Sequence, residues 1–274
     1  MKKILITGTK GFIGSQLKIE LEKLGHKIYE LNEDYFELDS WYSELYVSIR
    51  NMDIDVIFHV GACSDTLEQD VNYMMTRNYE STKILTDFAS QKNIPLIYSS
   101  SAANYGTNNL YPSNLYGWSK YVAEDYVRLN GGIALRYFNV YGPGEDKKGR
   151  MASVAHQMFL KKKNNQEIKL FPNKPLRDFV YIKDIIDANI YAWENFEILK
   201  EKYYEVGSGD ARGFEDVLNY MGIDFEYSDQ SMIPVGYQYY TCSNKTKWMN
   251  GWKSKWDLEL GIKNYLEFLN NENI

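Results

Sequence analysis

An α/β fold, built on a doubly wound parallel sheet with a smaller mixed α/β lobe, is predicted by three features of the sequence. A short apolar run, Ile4-Leu5-Ile6, ends in a glycine-rich turn and passes directly into a helical period. Strand-like runs then alternate with helical stretches as far as Pro143, and beyond it the rhythm weakens. Buried parallel strands read as unbroken apolar runs, and their alternation with helices marks crossover units.

Lys2 to Thr7 is the first strand, Gly8 to Gly14 the turn, and Ser15 to Leu24 the first helix, with Ile13, Leu17, Ile19, Leu21 and Leu24 at roughly helical spacing. Lys27 to Leu31 and Asp55 to Val60 are further strands, the second leading into Gly61-Ala62, where a ligand can approach the backbone closely. Asp65 to Gln91 reads as a long helical stretch and Pro95 to Tyr98 as a strand ending in three serines. Tyr116 to Leu129 reads as a helix and Ile133 to Phe138 as a strand. The alternation is Rossmann-like. A helix carrying Met151, Val154, Met158 and Phe159 and a short strand, Ile168 to Phe171, begin the smaller lobe. Asp178 to Ile182 and the helix Lys183 to Phe196 read as a return to the large one. The expected division is a dinucleotide-binding domain over 1–149, rejoined by 178–207, and a substrate-binding lobe formed by 150–177 and 208–274.

Composition excludes several classes. The chain has 274 residues, 44% hydrophobic and 25% charged, which is globular composition with enough length for one large core and a smaller lobe. Lys plus Arg is 31 against 37 Asp plus Glu, a net charge of −6 with no basic stripe, so no nucleic-acid partner is expected. Lys161-Lys162-Lys163 is read as a solvated helix end. Cys63 and Cys242 form no C-x-x-C pair, which predicts neither a disulfide framework nor a metal site and fits a reducing, cytoplasmic setting. The amino terminus lacks the apolar run of a signal peptide, and no window approaches the ~20 apolar residues of a membrane span.

The chemistry is carried by two constellations. Gly8, Gly11 and Gly14, with Lys10, Phe12 and Ile13 between them, turn the backbone tightly and bring the amides of a helix start toward a pyrophosphate. Glu30, sixteen residues beyond Gly14, can accept hydrogen bonds from an adenosine ribose, which favours NAD. Lys10 can neutralise a ribose 2′-phosphate, and this tips the reading to NADP with NAD as the alternative. Asp39 could bind the adenine amino group or cap a turn. The second constellation is Ser101 at a strand end followed by Tyr116 and Lys120 at a helix start. Residues four apart share a helical face, so Lys120 can lie beside Tyr116, ease formation of its phenolate and hold the nicotinamide ribose. A phenol with an ordinary pKa of about 10 needs that help to act near neutrality, and Ser101 would align the same substrate oxygen.

These residues, in this order, resemble the extended short-chain dehydrogenase/reductases that act on nucleotide sugars, over essentially the whole chain. The narrower resemblance is to the ADP-glycero-manno-heptose 6-epimerases. It is carried by Gly61-Ala62-Cys63-Ser64-Asp65-Thr66, Tyr98 to Gly106, Arg136 to Pro143, Lys148-Gly149, Met151 to Ala155, Lys169 to Phe171 and Arg177 to Tyr181. The resemblance implies a second acid/base at Lys148, facing Tyr116. It implies transient oxidation at C6″ of ADP-D-glycero-D-manno-heptose, with hydride returned to the opposite face to give the L-glycero epimer, a step toward lipopolysaccharide heptose. It further implies that Asn139, Ser153, Arg177 and Tyr237 contact the nucleotide sugar, and that the protein self-associates through its long helices. Ala102-Ala103 stands where nucleotide-sugar dehydratases need an acidic pair, which argues against 4,6-dehydration.

Departures from the pattern fall on the substrate side. The connection from Gly106 to Tyr116 is short and lacks an acidic residue, and Gly236 stands where an arginine is expected before Tyr237. A 4-epimerase or 4-reductase acting on a related nucleotide sugar, and a non-catalytic cofactor-binding protein, are the alternatives. Without the resemblance, Lys148 reads as an exposed loop lysine, and Arg177 and Asp178 as a pair supporting the fold.

Overall fold

The computed structural model describes residues 1–31, 33–107, 110–233 and 237–271. Its large sheet is made of six parallel strands: β1 (Lys3–Thr7), β2 (Lys27–Glu30), β3 (Val56–His59), β4 (Leu96–Ser101), β5 (Ile133–Tyr137) and β9 (Tyr203–Val206), in the spatial order β2-β1-β3-β4-β5-β9. Side chains alternate across a strand. In β1, Ile4 and Ile6 accordingly enter one core and Leu5 the other. The first face is covered by α1 (Phe12–Lys23) and α7 (Ile182–Glu194); the second by α2 (Trp41–Arg50), α4 (Ser81–Lys92) and α5 (Leu115–Leu129).

The chain leaves β1 for β2 on one side and returns to β3 on the other, so β1 and β3 flank the point where strand order reverses. Ligands of open α/β sheets bind in the crevice at the carboxyl ends of such strands. Thr7 and His59 pair at that end, and the glycine turn rises above them.

The expected helix over Asp65–Gln91 is shorter and broken. Regular helix begins with α3 (Val71–Met75), opens into a π turn at Thr76–Glu80, and continues as α4. Residues 65–70 stay irregular because their own carboxylates take the backbone donors. Asp65 accepts from Leu67 N at 2.9 Å and Glu68 from Gln69 N and Asp70 N at 2.8 Å each. Asp70 then caps the helix, accepting from Tyr73 N at 2.9 Å.

The smaller lobe holds β6 (Asn139–Tyr141), β7 (Lys169–Leu170), β8 (Leu176–Tyr181), β10 (Ala211–Gly213) and β11 (Glu226–Tyr227), with α6 (Val154–Lys163), α9 (Phe214–Met221) and α10 (Leu258–Asn271), while the short α8 (Phe196–Leu199) joins α7 to β9. β8 pairs in parallel with β6 and antiparallel with β10, while β7 pairs with β11. Between 178 and 207, then, α7 and β9 pack with the large sheet and β8 sits in the three-stranded one. Tyr141, Tyr181 and Tyr265 are fully buried where α10 meets that sheet.

The helix expected around Met151 starts only at Val154. Before it, Glu145–Met151 forms 3-10 turns broken at Gly149, whose φ of 51° and ψ of −124° no helix accommodates. That break leaves a loop rather than a helix between β6 and α6, and the loop hangs over the crevice.

Candidate active site

Glycine is required in the turn on steric grounds. Gly8 has a φ of +70°, and a Cβ there would lie 2.6 Å from Gly61 Cα; a Cβ on Gly14 would lie 2.2 Å from Gly8 O. The turn therefore packs directly on the Gly61 segment after β3. α1 has no side-chain cap and no acidic residue in its first turn, leaving its amino-terminal amides and positive dipole end toward the crevice. This donor set fits the pyrophosphate of a dinucleotide.

A buried chain of hydrogen bonds supports it. Thr7 Oγ1 accepts from Val60 N and Gly61 N at 3.0 and 2.8 Å, so its proton goes to His59 Nδ1 at 2.8 Å. His59 Nε2 then donates to Thr82 Oγ1 at 2.8 Å, which donates to Asn78 O at 2.7 Å. The imidazole is thus neutral, and its burial pushes its pKa down to about 3. Asn78, in the π turn, grips Cys63 through both its amide atoms, at 2.7 and 2.9 Å, and donates to Ser119 Oγ of α5 at 2.9 Å.

Two adjoining cavities open above the switch point, of about 720 and 330 Å³. Gly8, Lys10, Gly11, Phe12, Ile13 and Gly14 all line the larger. Glu30 lines neither: its carboxylate accepts from the Lys18 ammonium and the Thr9 hydroxyl, which hold it below the usual carboxylate range. Asp39 is exposed in the turn beyond the short 3-10 helix Glu33–Glu37 and also lines neither. Glu33, which the sequence did not single out, lines both cavities and lies against Gly61. Arg77 lines the smaller one, its guanidinium 3.8 Å from the Tyr73 ring centre and 5.0 Å from that of Phe36, and paired with Glu37 at 2.8 Å. A second acid in Glu30-Leu31-Asn32-Glu33 was the available signal for Glu33; nothing marked Arg77, which lies inside a helical run.

Ser101, Tyr116 and Lys120 line the larger cavity together. Ser101 is the last residue of β4 and accepts from Ala103 N at 3.1 Å. Asn114 caps α5, accepting from Gly117 N at 2.8 Å, and so sets the first turn that carries Tyr116. Lys120 is 3% exposed; its ammonium donates to Ser99 O at 2.7 Å and lies 4.8 Å from the Tyr98 ring centre. Burial pushes its pKa down to about 7. Burial also pushes the Tyr116 phenol up, while the Ser101 hydroxyl draws it back down.

Lys148 lines the same cavity from the loop between β6 and α6, its ammonium 5.4 Å from the Phe12 ring centre and its pKa lowered by burial. It is not an exposed loop lysine. Next to it Arg150 forms an ion pair with Asp65 across the cavity mouth. Asn139 and Ser153 line the cavity as well; Asn139 accepts from the Thr241 hydroxyl at 3.3 Å, and Ser153 caps α6, accepting from His156 N at 3.3 Å. Arg177 stands behind the cavity wall formed by Phe179 and Phe214, 5.9 Å from the Phe214 ring centre and 5.2 Å from that of Tyr237, and donates to Leu176 O at 2.9 Å and to Gln238 O. It does not pair with Asp178, which accepts instead from Ser208 N, Gly209 N and Ser243 N at 2.6, 3.0 and 2.8 Å. Gly236 lies outside the described residues. His156 is buried against Tyr265, 3.0 Å from its hydroxyl. Among the described residues, no group of three or more His, Cys, Asp or Glu side chains could hold a metal ion, and no helix is long and apolar enough to cross a membrane.

Residues 4–207 match the family described as the NAD dependent epimerase/dehydratase family. The chain is 34% identical to an ADP-L-glycero-D-manno-heptose-6-epimerase of Brachyspira hyodysenteriae, over 97% of each protein. Among solved structures it resembles an ADP-L-glycero-D-manno-heptose-6-epimerase of Helicobacter pylori, with 28% identity, a TM-score of 0.83, and 99% of this chain and 97% of that one covered. It shares its fold with a UDP-glucose 4-epimerase of Thermotoga maritima crystallised with UDP-glucose, at 23% identity, a TM-score of 0.83 and 98% of each chain.

Proposed function

The chain belongs to the NAD dependent epimerase/dehydratase family, and within it we propose that it converts ADP-D-glycero-D-manno-heptose to the L-glycero epimer by a transient oxidation at C6″. One observation carries the reading: Tyr116 and Lys148, two groups able to move a proton, line one cavity from separate elements, the first turn of α5 and the loop between β6 and α6. Inverting a carbinol carbon through a ketone needs a proton taken when the substrate lies one way and a proton given when it lies the other. A single base serves only one of these. The likeness to the two 6-epimerases supports the choice of sugar.

A nicotinamide dinucleotide, when bound, would supply the hydride acceptor for C6″ and the donor for return to the opposite face. The turn from Gly8 to Gly14 and the open end of α1 would hold its pyrophosphate. Tyr116, as the phenolate, takes the C6″ hydroxyl proton and becomes the phenol; Lys120, on the same helical face and bonded to Ser99 O, lowers the cost of forming that phenolate beforehand. Ser101 orients the same oxygen. Lys148 then gives a proton to that oxygen from the other side. Each turnover moves one proton from the Lys148 wall to the Tyr116 wall, and exchange with water restores both. Asn139 and Ser153 contact the sugar nucleotide, and Arg177 with Tyr237 forms the support behind it.

The turn lysine favoured NADP at the level of sequence, but the cavity surroundings support NAD. Glu33, Asp34 and Glu37 line the smaller cavity against Lys10 and Arg77, and Arg77 is already paired with Glu37. A ribose 2′-hydroxyl can donate to a carboxylate, whereas a 2′-phosphate would meet like charge.

Proton NMR of ADP-D-glycero-D-manno-heptose incubated with the cofactor-loaded protein in deuterated water tests the assignment. The L-glycero epimer is expected without solvent deuterium at C6″. Unchanged substrate with cofactor demonstrably bound sinks the choice of sugar; stoichiometric consumption of added NADPH would instead mark a reductase.

A further inference from the structure

We propose that Glu145 is the positioning residue for Lys148: its carboxylate ties the two ends of the loop that carries the lysine and is the buried anion fixed within that loop. The proposal rests on the reading of Lys148 as the second acid/base.

Glu145 is fully buried, at 0% exposure, and among the described residues it forms no ion pair. A buried carboxylate without a cation is costly, so its retention needs an explanation other than fold stability. Its hydrogen bonds indicate one. It accepts from Gly142 N at 3.2 Å and from Ser153 N and Ser153 Oγ at 2.6 and 2.8 Å. One side chain thus ties both feet of the loop from Gly142 to Ser153. Between those feet Gly144 has a φ of 94° and Gly149 a φ of 51°, conformations that make the loop a bent strap rather than a helix. Lys148 lies in the strap with its ammonium turned back toward the Phe12 ring.

The electrostatics point the same way. Burial works against the charged form of Lys148, and the Glu145 carboxylate is the group that opposes it. Of the other groups nearby, Asp65, from the loop after β3, pairs with Arg150; Lys147 and Lys120 are cations lining the cavity; Tyr116 and Cys63 line it too; and Asp146, next to Glu145 in the strap, is exposed to solvent. Behind Glu145 stand His156 of α6 and Tyr265 of α10, bonded to each other at 3.0 Å; burial, and after it the carboxylate, push the Tyr265 phenol up. Without an anion fixed at this point, burial would disfavour the Lys148 ammonium unopposed.

Competitive labelling of the whole chain with trace acetic anhydride across a pH series, read by mass spectrometry at Lys148 with Lys120 as internal reference, tests this without reference to turnover. In E145Q the Lys148 labelling midpoint is expected to fall by about one pH unit while that of Lys120 stays put, and E145D is expected to restore part of the shift. An unmoved Lys148 midpoint, or equal movement at both lysines, overturns the proposal. Should E145Q fail to fold, Ser153→Ala reads the same link: with one donor to the carboxylate gone, Lys148 is expected to label several-fold faster at fixed pH, and unchanged labelling overturns it. The catalytic reading fails separately, if Lys148→Met still epimerises.

Discussion

Tyr116 and Lys148 meet over one cavity from different parts of the fold, the phenol from the first turn of a capped helix and the amine from a glycine-jointed strap between the two sheets. Neither has its ordinary proton affinity: burial raises the phenol and lowers the amine. The shift of the amine carries it toward neutrality, whereas that of the phenol carries it away, a cost that the Ser101 hydroxyl offsets in part.

Tyr116→Phe removes the hydroxyl and leaves the ring. Turnover is expected to fall by about 10²–10⁴-fold, while the protein retains cofactor, measured by chromatography of the denatured holoenzyme. Retained turnover would defeat the assigned role.

Lys148→Met keeps the length and apolar stem of the lysine against Phe12. Overall epimerisation is expected to drop by about 10²-fold or more, yet adding substrate should still reduce bound cofactor, seen as nicotinamide absorbance. Loss of both signals together would place Lys148 in the first half-reaction instead.

Glu33→Ala removes the carboxylate shared by the two cavities. NAD affinity is expected to weaken by about tenfold, the loss of one hydrogen bond to a charged group, and the preference over NADP to narrow, both measured by titration calorimetry. The same substitution at Glu30, which is held by Lys18 and Thr9, should leave the preference unchanged.

His59 gives a pH dependence with a definite sign. Its folded pKa is about 3 against 6.5 unfolded, so between those values the unfolded chain binds one more proton than the native one. Stability is therefore expected to fall as pH drops below 6.5, at up to about 1.4 kcal/mol per pH unit. Urea midpoints between pH 7 and 5, above the main carboxylate range, would show the slope, and His59→Gln should abolish it.

Much of this was legible in the chain. The apolar runs that became β1, β3, β4 and β5 are continuous because both faces of the sheet are covered, and the glycine spacing records a turn too tight for any Cβ. The Tyr116 and Lys120 spacing is a helical repeat and survives as one. What escaped was set by tertiary partners. Glu30 stands at the expected distance from the turn, but Lys18 reaches it first, and the carboxylate on the cavity wall is Glu33. Carboxylates competing for backbone donors unwound the stretch before Val71, a balance that apolar periodicity does not record. Glu145 was not singled out, since nothing in the sequence announces that its donors lie at both ends of its loop.

Phe138 is the only residue between β5, in the large sheet, and β6, in the small one. Its ring is 8% exposed, and its amide donates to Val206 O at 3.2 Å. Swinging one lobe away from the other at this corner would break that bond and wet an aromatic ring, so the two sheets behave as a single bracket. The strap between Gly142 and Ser153 starts just beyond this corner and lines the crevice, so the position of Lys148 is set from the same joint.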